Sequence, residues 1–498
     1  MNFNRSSGIL LHPTSLPGPY GIGDLGPEAF RFVKFLADTN TKLWQVLPLG
    51  PTGYGDSPYQ CFSAFAGNPY MINPDFLLRD DFLHPNDLVN KPNYSEEKVL
   101  FGKIIPWKLN LLERAYLRFR SAKNLHRDEF EAFCHDEGSW LDDFALFMAI
   151  KEAQGGGAWD GWPESLRRRD PVAINQAREN LVDAIGRYKF YQYLFFKQWN
   201  ALHAYTLDLG IKIIGDIPIF VAFDSADAWA NPELFFLDEK GKPTVVAGVP
   251  PDGFSADGQL WGNPLYNWEK HKENGFGWWL NRFRATLRQV DIIRLDHFRG
   301  FAGYYEIPAG ESTARNGRWM PALGFDLFKT LTRELGDLPI IAEDLGLITE
   351  DVVALRDGYG LPGMRILQFA FSGPDNAFLP HQYTKNCVVY TGVHDNDTTR
   401  AWYETTSKAE REFACQYLDF SPANDAAKEF PARLIRAAWE SVAVFAIAPM
   451  QDFLALGGEA RMNYPSRLGG NWDWRMGNTV LTDELKERVK KLNYLYGR

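Results

Sequence analysis

Short runs of β-branched and apolar residues recur along the chain, each breaking off into turn residues, with amphipathic segments between several of them. Buried parallel strands read as continuous hydrophobic runs rather than alternating ones, because both of their faces are covered. Eight such runs stand out: 8–12 (GILLH), 43–49 (LWQVLPL), 212–218 (KIIGDIP), 291–296 (DIIRLD), 339–345 (PIIAEDL), 364–370 (MRILQFA), 388–395 (VVYTGVHD) and 442–452 (VAVFAIAPMQD). The segments 27–39 (PEAFRFVKFLADT), with Pro27 suited to a first helical turn, and 409–418 (AEREFACQYL) carry apolar residues at helical spacing. Strand and helix alternate, which predicts an α/β fold. Eight repeats predict a (β/α)8 TIM barrel rather than an open doubly wound sheet.

The spacing of the runs is uneven. The fifth to seventh follow one another at the unit length of a barrel, whereas residues 50–211 separate the second from the third and 219–290 the third from the fourth. We therefore expect a single catalytic barrel over 1–498 with two insertions. The first, 65–200, is read as a largely helical subdomain from periods such as 139–153 (SWLDDFALFMAIKEA). The second, 219–290, contains a turn-rich loop at 248–268 (GVPPDGFSADGQLWGNPLYNW), and a loop of that length inside a compact domain is usually functional.

Composition narrows the partners. The chain has 498 residues, is 45% hydrophobic and carries a net charge of -10, which disfavours a polyanion such as nucleic acid. Its four cysteines, Cys61, Cys134, Cys387 and Cys415, form no CxxC pair and suggest neither a disulfide framework nor a metal site. No apolar run is long enough for a signal peptide or a membrane span, so the expectation is a cytoplasmic protein without a membrane partner. Aromatic residues make up 15%, a supply of flat faces that serves sugar stacking and core packing equally well.

The chemistry sits at the ends of the strands. Read to their C-terminal ends, the runs give His12, Asp216, Arg294 with Asp296, Glu343 with Asp344, His394 with Asp395, and Gln451 with Asp452. A barrel gathers these ends on one face, where active sites are built. Any one aspartate has an ordinary structural reading as a helix cap. A convergent set is different, because assembling carboxylates costs self-repulsion and separates their pKa values, which acid and base chemistry uses. Arg294 and Asp296 are two residues apart and share one side of a strand, so the guanidinium favours the ionised form of Asp296 and makes it the better nucleophile. Glu343 ends an apolar strand, which raises its pKa towards that of a general acid. Asp344 points to the opposite face and is expected to cap a helix. His297 falls on the far side of the strand or beyond its end, and Arg299 is expected to tie down the loop.

The order of Asp216, RLD with Asp296, Glu343, and HD with His394 and Asp395 resembles the α-amylase superfamily of retaining glucan enzymes. More narrowly, RLDHFRG, AEDLG and GVHDNDTT, with SSGILLHPTSLPGPYGIGDLG near the start and RMNYPSRLGGNW near the end, resemble the 4-alpha-glucanotransferases of glycoside hydrolase family 77, the amylomaltases or disproportionating enzymes. The resemblance implies Asp296 as nucleophile, Glu343 as acid/base and Asp395 as the residue that holds the distorted sugar. It adds Arg294, His394 and Asp216 to the site, and Tyr59 as the aromatic that stacks on the sugar, for which a core tyrosine is the alternative. It implies a secondary glucan site at Tyr54, a lid loop at 248–268 over the acceptor subsites with contacts at Trp261, Gln259, Asp252 and Phe254, with a structural role as the alternative for Trp261, and a donor-side contact at Asn463. The implied partners are α-1,4-glucans and malto-oligosaccharides, with no metal or organic cofactor, and a monomer or weak homo-oligomer is expected. A hydrolase with the same residues, and a non-catalytic glucan-binding barrel, remain the competing readings.

Overall fold

The computed structural model describes residues 3–122, 126–251, 255–421, 425–465, 467 and 469–498. Twelve strands are present among them: β1 (Ser6–Leu10), β2 (Leu43–Gln45), β3 (Lys212–Ile217), β4 (Val245–Val249), β5 (Gln259–Pro264), β6 (Ile292–Leu295), β7 (Gly303–Pro308), β8 (Arg318–Pro321), β9 (Ile340–Ala342), β10 (Gly363–Ile366), β11 (Cys387–Tyr390) and β12 (Phe445–Pro449). Eight of them close a parallel barrel in the order β1-β12-β11-β10-β9-β6-β3-β2. Each of the eight apolar runs supplies one barrel strand. Several runs outlast their strand: 364–370 turns into a 3-10 helix at Leu367–Phe369, and 442–452 into the helical turn Met450–Phe453. The apolar residues continue past the ladder because the barrel mouth is itself packed.

Between β2 and β3 the chain is helical, with long helices at Phe101–Ser121, Gly138–Ala153 and Val182–Asp208. The last of these carries two glutamines that act as strand surrogates. The Gln192 amide exchanges two hydrogen bonds with the main chain of Gly67, and Gln198 does the same with Asn73. A Cβ at position 67 would overlap the Phe195 ring, so only glycine lets the loop lie this close to the helix. That clamp anchors the far end of the loop that begins at β2 and carries Tyr59.

The segment 248–268 is not made of turns throughout, though its composition suggests them. Much of it is strand, and β4 and β5 pair antiparallel with a register shift between Val246 and Gly248. With β7 and β8 they form a four-stranded sheet in the order β5-β4-β7-β8. Its glycines and prolines read as turns in sequence, yet the alternation of Leu260, Gly262 and Pro264 with Gln259, Trp261 and Asn263 is that of a two-faced strand. Asp252 and Phe254 lie outside the described residues. The four cysteines are all free thiols. Among the described residues, no helix is long and apolar enough to cross a membrane.

Candidate active site

Register builds the site. β3 and β6 pair so that Asp216 lies beside Arg294, and β6 and β9 pair so that Leu295 lies beside Ala342. One residue further on, Asp296 and Glu343 leave their strands side by side. Main-chain bonds continue past the ladder: Asp296 N–H donates to Ile217 O at 3.0 Å and Glu343 N–H to Leu295 O at 3.0 Å. The positions of both carboxyls are thus set by backbone hydrogen bonding rather than by loops.

Arg294 is the buried centre of the group. Its Nη1 donates to Asp216 Oδ2 at 2.6 Å and to Asp296 Oδ1 at 3.0 Å. Burial works against its charge, but the two carboxylates outweigh that cost and hold the guanidinium far above its ordinary range. Asp216 has no solvent-exposed side chain, and burial pushes its carboxyl up to about 6, with Arg294 opposing; it is therefore ionised at neutral pH. Its Oδ2 also accepts from the Tyr59 hydroxyl at 2.8 Å. Tyr59, Asp216, Arg294 and Asp296 form one hydrogen-bonded chain across three elements.

Glu343 is a different kind of carboxylate. Burial, and then the charge of Asp296, push it up to about 8 against the opposing influence of Arg294 and of two N–H donors. Those donors are His297 N–H on Oε2 at 2.7 Å and Leu345 N–H on Oε1 at 3.0 Å. At neutral pH the side chain is mostly protonated. One barrel mouth thus holds two adjacent carboxyls with separate jobs, Asp296 against a guanidinium and Glu343 retaining a proton.

The third carboxylate is more open. The side chain of Asp395 is 49% exposed, and its Oδ1 accepts from Asn463 Nδ2 at 2.6 Å, with His394 Nε2 3.5 Å away. Segment 461–463 is laced to segment 394–395: Asn463 N–H donates to His394 O at 3.1 Å and Arg461 Nη2 to Asp395 O at 2.8 Å. The Tyr59 and His394 rings stack with centroids 4.9 Å apart, and Trp472 leans on both at 5.7 and 5.8 Å. Trp261 lies against the His297 ring in a T-shaped contact at 4.8 Å, with its Nε1 donating to Gln259 Oε1 at 3.0 Å.

The fold therefore brings together Asp296, Glu343, Asp216, Arg294, Tyr59, His394, Asp395 and Asn463, with Trp261 and Gln259 along one wall. Tyr54 stands apart, 74% exposed on a 3-10 turn of the Tyr59 loop. Three strand-end residues serve structure. His12 accepts from Leu47 N–H and is pushed down to about 3 by burial and by His394, so its ring is neutral. Asp452 binds Thr391 and Thr399. Asp344 does not cap a helix; it accepts from Met364 N–H at 2.6 Å and pairs with Arg356 at 2.5 Å, fastening β9 to β10. Arg461 and Trp472 were not singled out in the sequence. Both lie after the last barrel strand, where no periodicity marks a residue as facing the mouth. Among the described residues no group of His, Cys, Asp or Glu is arranged to hold a metal ion.

The geometry, a carboxyl paired with a guanidinium next to a second that keeps its proton, beside stacked aromatic rings, is that of a glycosidic site, and comparison with known proteins agrees. The sequence profile of the 4-alpha-glucanotransferase family, glycoside hydrolase family 77, matches residues 11–481. The chain belongs to that family. It is 50% identical to the 4-alpha-glucanotransferase of Thermus thermophilus, with 99% of both chains covered, and 49% identical to that of Synechocystis, covering 99% of this chain and 98% of the relative. The amylomaltase of Streptococcus agalactiae, solved in complex with acarbose, superimposes with a TM-score of 0.96 at 42% identity over 99% of both chains. Family membership extends over the barrel and both long intervals between its early strands.

Proposed function

We propose that the chain is a retaining 4-alpha-glucanotransferase, which moves a segment of an α-1,4-glucan from a donor to the 4-hydroxyl of an acceptor glucan or glucose. The observation that carries the reading is the pairing of Asp296, held against Arg294, with Glu343, buried and pushed up to about 8. Asp296 Oδ attacks the anomeric carbon as the bond to the leaving O4 breaks, and Glu343 gives its proton to that oxygen. The product is a glycosyl ester on Asp296, and the shortened glucan departs.

Esterification removes the charge of Asp296, the second cause of the high Glu343 pKa, so Glu343 now ionises readily and becomes a base. It takes the proton from an acceptor 4-hydroxyl, whose oxygen attacks the anomeric carbon and frees Asp296. Two inversions give net retention. Asp395 and His394 bind the hydroxyls of the distorted ring, Tyr59 offers a stacking face, and Arg294 balances the charge that shifts during both steps. Asp216 keeps Arg294 and Tyr59 in place, and Asn463 orients Asp395.

Transfer rather than hydrolysis is supported by family membership and by the wall that Trp261 and Gln259 form beside His297, next to the reacting pair. An acceptor sugar lying on that wall displaces water from the intermediate. Maltotriose as sole substrate tests the reading. A ladder of longer oligomers together with glucose is expected, whereas glucose and maltose alone would mean hydrolysis. Asp296→Asn and Glu343→Gln are each expected to lose roughly 10²-fold or more of the transfer rate.

A further inference from the structure

The proposed mechanism needs Glu343 held at a fixed angle to the leaving oxygen, and its hydrogen bonds identify what holds it. Two consecutive N–H groups reach this residue: His297 N–H binds Oε2 at 2.7 Å and Phe298 N–H binds the main-chain oxygen at 3.0 Å. An extended strand sends successive N–H groups to opposite sides. They converge here because the chain curls between them: His297 has φ 47° and ψ 52°, the left-handed region that side chains other than glycine seldom occupy. Histidine is among the residues that tolerate it.

The surroundings enforce the curl. The His297 ring meets the edge of Trp261 at 4.8 Å, and on its other side a Cβ at Gly300 would come within 3.2 Å of Cδ2 and 2.5 Å of Ile219 Cδ1. Glycine at 300 therefore makes the space into which the ring folds. Burial pushes the imidazole down to about 4, so it carries no charge at neutral pH.

We infer that His297 is a positioning residue for Glu343, acting through its main-chain N–H rather than through its ring. The inference rests on the reading of Glu343 as acid/base. The left-handed turn aims the N–H at Oε2, and the ring packs against Trp261 in the space that Gly300 leaves open. His297 thus ties the acid/base to the wall on which the acceptor is proposed to lie.

Two donors separate this role from a general disturbance. Maltotriose needs a proton on its leaving oxygen, whereas α-maltosyl fluoride releases fluoride without one. Glycine and asparagine accept the left-handed turn, and a β-branched residue resists it. His297→Gly and His297→Asn are expected to keep single-turnover cleavage of maltotriose within about three-fold of the parent, while His297→Val loses at least ~30-fold, a part of the roughly 10²–10⁴-fold that a general acid contributes. In the first turnover on α-maltosyl fluoride, all three should release fluoride within about three-fold of the parent, since that step needs no acid. A glycine variant that falls as far as valine would assign the role to the ring and overturn the inference. So would a valine variant that loses both reactions equally or neither. If the valine variant does not fold, the other two still decide, since a large loss in either removes the main-chain role. Glu343→Gln is the control: if it cleaves maltotriose at the parental rate, the acid/base reading itself has failed, and that outcome is distinct from any result at position 297.

Discussion

Arg294 compensates two carboxylates at once, and what its removal exposes follows from burial. Asp216 would lose the cation that opposes the effect of burial, so its carboxyl is pushed up further and takes up a proton, and breaking a buried pair in this way costs about 3–5 kcal/mol. Arg294→Ala is therefore expected to lower both stability, measured by denaturant unfolding, and kcat by several orders of magnitude. Arg294→Lys keeps a charge but not the planar guanidinium whose Nη1 reaches both carboxylates, and should fall between the parent and the alanine variant. Unchanged stability in the alanine variant would mean that Asp216 is neutral in the parent. At this scale the sequence was most informative, because Arg294 and Asp296 stand two residues apart on a strand and alternation alone puts them on one side. Glu343 was readable for the same reason, as the first polar residue after an apolar strand. His297, Arg461 and Trp472 were not, since their orientation depends on left-handed turns and loop contacts that no period records.

Elements that the alternation of strand and helix describes were legible, and those built from irregular pairing were not. Each of the eight barrel strands overlaps one of the eight apolar runs, whose core residues are buried whichever way they face. The sheet β5-β4-β7-β8 escaped notice because Gly248, Gly258 and Gly262 give its strands the composition of turns and because its partners are separated by β6. Its proposed contribution to function is Trp261, which it sets beside His297. Trp261→Ala is expected to leave hydrolysis of the glycosyl-enzyme nearly intact while lowering transfer, so that the ratio of oligomer formation to reducing-end release from maltotriose falls by about ten-fold, the size of one lost aromatic contact. An unchanged ratio would place the acceptor elsewhere. Asp344 shows the limit of arguing from a single residue. Its capping role was plausible from sequence, but the groups it holds, Arg356 and Met364 N–H, come from the helix that follows it, Glu350–Gly358, and from the next strand, and no local pattern announces them.

For the whole molecule, Glu343 is a cost that the fold carries for its chemistry. Its folded pKa lies near 8, above its value in the unfolded chain, so the native state binds the proton more tightly. The stability it contributes is complete below about pH 4.3 and is lost as pH rises towards 8, a change on the order of a few kcal/mol. The melting temperature of Glu343→Gln relative to the parent should therefore shift in favour of the variant between pH 5 and pH 8, as read by calorimetry. A difference that is flat with pH would mean an ordinary pKa for Glu343. The barrel tolerates this because the rest of the mouth is bound into it by backbone, from Ile217 through Asp296 to Glu343, and by the lacing of Asn463 and Arg461 onto segment 394–395.

The central claim is that Asp296 forms a covalent bond to the donor glucan while Glu343 manages the proton. Glu343→Gln incubated with α-maltosyl fluoride tests it most directly, because the fluoride leaves unaided and the intermediate then lacks a base to discharge it. Peptide mass spectrometry of the acid-quenched protein is expected to find a maltosyl group on the peptide that contains Asp296, and none in Asp296→Asn. A maltosyl group on another residue, or fluoride release with no adduct at all, would contradict the account.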